Sequence, residues 1–183
     1  MTPRPFVGAI RLALGRRDGI ALFGDTVPAF LARLAPLVAF PLVGAGLLAA
    51  SGRVAPALAL LVLSLVAQLA PAVVSHALAR WWGREAAWLR YATAFNWCQW
   101  ALPIVAMGLL TAIQVVAGER LTVEAASRLL VLVVSAYGLW LNWLLARVGL
   151  DLGAGRAAGF VALVNLAVLA LIVGPQLFAA VLE

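Results

Sequence analysis

The chain has 183 residues, 66% of them hydrophobic and 11% charged, with a net charge of +6 and a mean hydropathy of +1.08. An ordinary soluble domain carries roughly 45–50% apolar and about 25% charged residues, and here the apolar residues also come in long runs. A soluble domain, a disordered chain, a disulfide scaffold and a nucleic-acid binder are excluded on these grounds, which leaves an all-α, polytopic integral membrane protein.

Residues 1–26 form the one segment expected to lie outside the membrane bundle. Phe6, Ile10, Ala13 and Leu14 fall on one helical face, and Arg4, Arg11 and Asp18 on another. That spacing suits an interfacial amphipathic helix, with Arg4, Arg11, Arg16 and Arg17 contacting anionic lipid headgroups. A helix docking on a partner has the same pattern. Gly8 and Gly15 weaken any free-standing helix here. The segment lacks a signal peptide's order of charge, apolar run and cleavage site, so the N-terminus is expected to be retained.

Five windows without Asp, Glu or Arg follow: Leu34–Gly52 (19 residues), Val54–Ala79 (26), Tyr91–Gly118 (28), Leu129–Ala146 (18) and Ala157–Leu182 (26). Each reaches the roughly 18 residues a spanning helix needs to cross a hydrocarbon core of about 30 Å. A barrel would alternate polarity instead, so the expected fold is a five-helix bundle over residues 27–183. Its spans are placed at about 27–52, 54–80, 90–117, 123–147 and 157–181. Val27–Leu34 extends the first span, with Arg33 snorkelling toward headgroups. Thr122 is the expected cap of the fourth span, and Glu124 suits its positive N-terminal end. Pro36, Pro41, Pro71, Pro103 and Pro175 predict kinks, which neighbouring helices make tolerable.

Alternating the flanks puts Arg4, Arg11, Arg16, Arg17, Arg33, Arg80, Arg84, Arg90, Arg147 and Arg156 on one side and Arg53, Arg120 and Arg128 on the other. Positive flanks stay cytoplasmic. The N-terminus is therefore expected inside and the C-terminus in the periplasm of a bacterial inner membrane. With Asp18, Asp25, Glu85 and Asp151 inside, that face carries the whole net charge of +6. The pI of 11.3 thus reads as topology and anionic-lipid contact, with no nucleic acid needed. Trp81, Trp82 and Trp88, beside Arg80, Arg84 and Arg90, sit where an interfacial aromatic belt belongs.

Polar side chains at membrane depth are the best functional pointers. At 1.5 Å per residue, His76 is about 6 Å from Arg80, Asn142 about 7.5 Å from Arg147, Asn96 about 9 Å from Arg90 and Asn165 about 13.5 Å from Arg156. Gln99 belongs with them, and Trp97, Trp100, Trp140 and Trp143 share the layer, each pair spaced i, i+3. One reading is a polar cavity lined by these tryptophans and open to the cytoplasm. The other, preferred, is that the amides and His76 hydrogen-bond across helices, at about 0.6–2 kcal/mol per contact. Gln68, near mid-membrane, reads the same way. No buried carboxylate accompanies His76, which argues against a proton relay.

Enzyme signatures are missing. His76 and Cys98 lie on different spans without an activating third group, and one histidine with one cysteine cannot supply zinc's three or four ligands. No catalytic residue, metal or cofactor is expected. Gly149–Gly153 and Gly155–Gly159 match small-xxx-small packing, weakly, because both sit at a loop.

The stretch Tyr91-Ala-Thr-Ala-Phe-Asn-Trp-Cys-Gln-Trp resembles the third-span signature of small alphaproteobacterial membrane proteins grouped loosely with the Yip family of five-span, Rab-interacting proteins. The pattern is an aromatic followed by Asn-Trp inside a helix after a basic loop, here Phe95-Asn96-Trp97 after Arg90. The opening, Phe6 to Gly19 followed by Phe23-Gly24-Asp25, resembles their lead into span one. The chain lacks the long N-terminal region, with its Asp-Leu-Tyr-Gly-Pro stretch, of the eukaryotic members. The resemblance implies five helices with the N-terminus inside, and no activity. Two functions stand: a non-catalytic scaffold or accessory subunit contacting lipid and other membrane proteins, or a small transporter or lipid-handling protein using the tryptophan-lined layer.

Overall fold

The computed structural model describes residues 4–117 and 122–182, with backbone alone for 32–37, 117 and 175–182. Among the described residues there is no strand. The described residues form, in order, the α-helices α1 (Pro5–Ala13), α2 (Val27–Ala50), α3 (Val54–Trp81), α4 (Glu85–Cys98), α5 (Ala101–Ala117), α6 (Val123–Gly149) and α7 (Ala154–Leu182), with a 3₁₀ turn at Arg17–Leu22 between α1 and α2. Among the described residues four helical stretches are long and apolar enough to cross a membrane: Val54–Trp81, Glu85–Val116, Val123–Gly149 and Ala154–Gly174. The helix of the first window, α2, is 24 residues long; its fully described apolar part, Val38–Ala50, is shorter than a span. Arg33 and Arg120, with their expected places, lie outside the residues whose side chains are described.

Local chemistry explains where the helices start and stop. The Thr26 hydroxyl accepts from Ala29 N at 3.4 Å, and Pro28 stands in the first turn, so α2 begins at Val27. Thr122 caps α6 in the same way, accepting from Ala125 N at 3.2 Å, with Glu124 in the first turn. Charge-free windows understate two helices. α4 begins at Glu85 and α7 at Ala154, because charged residues are tolerated in a terminal turn. Asp151 closes α6 at φ 50°, while Leu152 N donates back to Arg147 O at 3.1 Å. That left-handed closure is normally glycine's, and Asp adopts it at modest cost.

The prolines differ in effect. α3 stays helical through Pro71. At Pro103 the third span divides into α4 and α5, because proline offers no N–H to the Gln99 carbonyl four residues earlier and its ring crowds that oxygen. Leu102 N takes Gln99 O instead, at 3.3 Å, and Trp100 N takes Trp97 O, also at 3.3 Å. Two tight i→i−3 bonds thus replace the regular ladder.

Packing is concentrated at the end that carries α1, the α3–α4 turn and the α6–α7 turn, hereafter the α1 end. α4 contacts α1, α2, α3 and α6, and α7 packs on α3 and α6. Ala79, Ala94, Leu145, Ala146, Ala157 and Phe160 have no solvent exposure. Small residues at these crossings let backbones approach, which is how helices gain contact where lipid tails are as apolar as leucine. Gly149 shows the limit: a Cβ there would lie 3.1 Å from Tyr91 Cβ. Around Gly153, Gly155 and Gly159 nothing lies within 4 Å of such an atom, so of the small-xxx-small glycines only Gly149 serves a crossing.

The N-terminal segment is a folded unit. A Cβ on Gly8 would meet Gly19 O at 2.9 Å, and one on Gly19 would meet Gly8 O at 2.7 Å. These glycines therefore let α1 and the 3₁₀ turn touch backbone to backbone. Leu12 and Phe23 are buried beneath them, and Tyr137 donates its hydroxyl to Ala13 O at 2.9 Å, joining α1 to α6.

Candidate functional site

The sequence-predicted polar and aromatic residues are distributed over three places at the α1 end. His76 and Glu85 meet at the α3–α4 turn, Nε2 to Oε1, at 3.4 Å, and the imidazole stands edge-on to the Trp88 ring at 4.6 Å between centroids. Trp88 in turn donates Nε1–H to Ser75 Oγ at 3.0 Å and packs on Phe30. Ser75 is 2% exposed, so this bond satisfies a buried hydroxyl that sequence reasoning missed. The legible signal was Trp88 itself, whose indole N–H needs a partner when buried. His76 is thus supported by an exposed carboxylate and, unlike Asn96, Gln99, Asn142 and Asn165, its side chain pairs across helices among the described residues.

Asn142 and Asn165 do converge. With Pro71, Tyr91, Phe95, Phe160 and three valines they line a cavity of about 70 Å³ between α3, α4, α6 and α7. Asn165 donates to Val161 O of its own helix at 2.8 Å rather than across the bundle. Among the described residues Asn96, Gln99, Asn142 and Gln68 make no side-chain hydrogen bond. The cross-helix bonding expected of the amides is therefore not what holds this bundle. Neutral side-chain ties between elements include Trp88–Ser75, Tyr137–Ala13 and Trp143, which donates to Ala154 O at 3.0 Å.

The tryptophans part company for a geometric reason. Trp97, near the end of α4, and Trp100, in the α4–α5 break, face α1, where they line a groove of about 760 Å³ with Phe6, Ile10, Leu14 and Tyr137. Trp140 stacks near Tyr137, 5.7 Å between centroids, beside Gly15. Trp143 lies one turn on, under Arg147 at 5.1 Å, against the start of α7. The expected belt divides likewise: Trp81 is 75% exposed, but Trp82 packs on Phe160 and Trp88 on His76, since the tight Gly83 turn folds α4 back over α3.

Charge at this end is organised in pairs between elements. Arg90 meets Asp25 at 2.7 Å, Arg84 meets Asp151 at 3.4 Å, and Arg11 meets Asp18 at 2.7 Å with Arg16 at 3.7 Å from the same carboxylate. These are exposed pairs, each contributing about 0–1 kcal/mol and weakened by salt. Arg4 and Arg17 have no carboxylate partner among the described residues. Also among the described residues, no three His, Cys, Asp or Glu side chains cluster as a metal site would require, and the Cys98 thiol is 1% exposed.

The chain matches no family model, no curated protein sequence and no solved structure. The Yip-like resemblance therefore rests on Phe95-Asn96-Trp97 and the opening segment alone.

Proposed function

We propose that this is a five-span protein of a bacterial inner membrane, N-terminus cytoplasmic, that acts without catalysis as a scaffold or accessory subunit. The supporting observation is the dispersal of its intramembrane polar groups. His76, the Asn142–Asn165 cavity and the tryptophan groove are separate places, and the shared polar cavity is only about 70 Å³. A solute path needs polar groups that follow one another through the membrane. What the spans offer instead is uncovered apolar surface, such as Val131 and Leu132 on α6 and Leu166 and Leu169 on α7. In a bilayer such faces meet lipid or another protein's helix.

The reading is tested by an alanine series at Asn96, Asn142 and Asn165. Each variant is scored for folded yield and for polypeptides that co-purify in mild detergent. Partner recovery is expected to fall only where folded yield falls. Solute uptake or lipid movement by the purified protein in liposomes, abolished by these changes while folding persists, overturns the proposal in favour of a transporter.

A further inference from the structure

The groove between α1 and the α4–α5 break is large and apolar. Phe6, Ile10 and Leu14 form one wall, and Trp97, Trp100 and Ile104 the other. Its volume of about 760 Å³ falls in the roughly 300–1,000 Å³ range of ligand sites, which are mostly apolar with a few polar groups fixing orientation. Along the third span the lining runs from Trp97 to Val105. Eight residues at 1.5 Å each extend about 12 Å, close to the depth of one leaflet, half of a ~30 Å hydrocarbon core.

The charge flanking α1 in sequence points to an occupant. Arg16 and Arg17 follow Leu14, the last α1 residue in the wall, by two and three positions. Arg16 shares Asp18 with Arg11 at 3.7 Å, whereas Arg17 has no carboxylate partner among the described residues. Arg4, also unpartnered there, precedes Phe6 at the other end of the same wall. An apolar trough whose α1 wall is flanked in sequence by Arg4 and Arg17, neither with a carboxylate partner among the described residues, complements a molecule with a hydrocarbon tail and an anionic head. A partner's transmembrane helix would fill the apolar part and leave these arginines unmatched.

We propose that this groove holds one acyl chain of an anionic phospholipid, with its phosphate on Arg17 and Arg16. The site orders a lipid at α1, so that the helix, the arginines and the lipid form one surface. The proposal depends on the chain lying in a bilayer and is independent of the scaffold role: loss of every co-purifying polypeptide leaves its test unaffected.

Trp97 and Trp100 supply the probe. The purified full chain is reconstituted in phosphatidylcholine vesicles containing either phosphatidylglycerol or phosphatidylcholine brominated on the acyl chain, at equal mole fraction. Brominated phosphatidylglycerol is expected to quench tryptophan fluorescence at least twofold more. The excess should disappear in Trp97→Phe/Trp100→Phe, which removes the reporters, and in Arg16→Gln/Arg17→Gln, which removes the head contacts. Circular dichroism selects folded variants, and Ala101→Leu, which narrows the groove without touching charge, is expected to reduce the excess as well. Equal quenching by the two lipids overturns the proposal, as does an excess that survives both double substitutions. Mass spectrometry of the intact protein from its own membrane is expected to show one retained anionic phospholipid. A stoichiometric polypeptide retained in place of lipid also overturns the proposal, in favour of a helix in the groove.

Discussion

At the α1 end, Ala146, Ala157 and Phe160 are fully buried, and ion pairs such as Arg90–Asp25 join elements distant in sequence. At the far end, Val115, Val116, Val123 and Leu132 are 68–85% exposed. Every side-chain hydrogen bond described there closes within one helix or its cap, as in Thr111 to Met107 O, Ser127 to Val123 O and Arg128 to Glu124. Both ends are apolar, so composition does not separate them. The difference lies in aromatic N–H and O–H groups: Trp and Tyr cluster at the α1 end, whereas Ala and Gly occur at both. Inside a bilayer this is the expected division, since lipid covers a leucine as well as a helix does but cannot replace close backbone packing or a hydrogen bond.

The largest effect follows from emptying the packed end. Phe160 touches the rings of Trp82 and Tyr91 at 5.7 and 5.6 Å. Phe160→Ala is expected to destabilise by about 3–5 kcal/mol, read as a lowered melting temperature in detergent. Leu166→Ala, on the same helix but 61% exposed, should stay within about 0.5 kcal/mol. Similar losses at both positions would erase the distinction between the ends.

A second comparison sets two glycines against each other. Gly149→Val forces a side chain against Tyr91, 3.1–3.2 Å from its Cα and Cβ, and should cost about 1–3 kcal/mol. Gly159→Ala meets nothing within 4 Å and should gain up to about 1 kcal/mol from helix propensity. Thermal melts of both variants are expected to shift in opposite directions.

The smallest effect concerns the docking of α1. Tyr137→Phe removes the donor to Ala13 O and should cost about 1 kcal/mol, concentrated in the N-terminal unit. Limited proteolysis is expected to cut near Gly15 several-fold faster in this variant, with cleavage elsewhere unchanged. Equal rates would show that Gly8, Leu12 and Phe23 hold α1 without the hydroxyl.

Helical class and helix positions were legible because a run such as Val54–Ala79 leaves a membrane-bound backbone no alternative. The α6 cap was legible from Thr122-Val-Glu, whereas the Thr26 cap of α2 was not read; of the expected kinks, Pro103 marks the α4–α5 break and Pro71 leaves α3 helical. Polar pairing was not. Axial depth can be counted at 1.5 Å per residue, but the direction a side chain takes around the helix depends on which neighbours pack there. Asn142 and Asn165 share a cavity, whereas Asn96 and Gln99, at similar depth, do not join it. The groove was half legible: Phe6, Ile10, Ala13 and Leu14 were recognisable as one face, as were Trp97 and Trp100, but nothing local in the chain says that the two faces oppose. Gly8 illustrates the reverse error. A glycine that weakens an isolated helix is here what lets α1 lie against the 3₁₀ turn.

The orientation we propose puts the packed, arginine-rich end toward the cytoplasm and the open end toward the periplasm. Single cysteines tested with a membrane-impermeant maleimide in intact cells address it most directly, because the native Cys98 is 1% exposed and stays silent. Ser51→Cys and Thr122→Cys, at the far end, should label in intact cells. Arg17→Cys and Asp151→Cys, at the α1 end, should label only after the membrane is permeabilised. Labelling of Arg17→Cys and Asp151→Cys from outside, with Ser51→Cys and Thr122→Cys protected, would contradict the account.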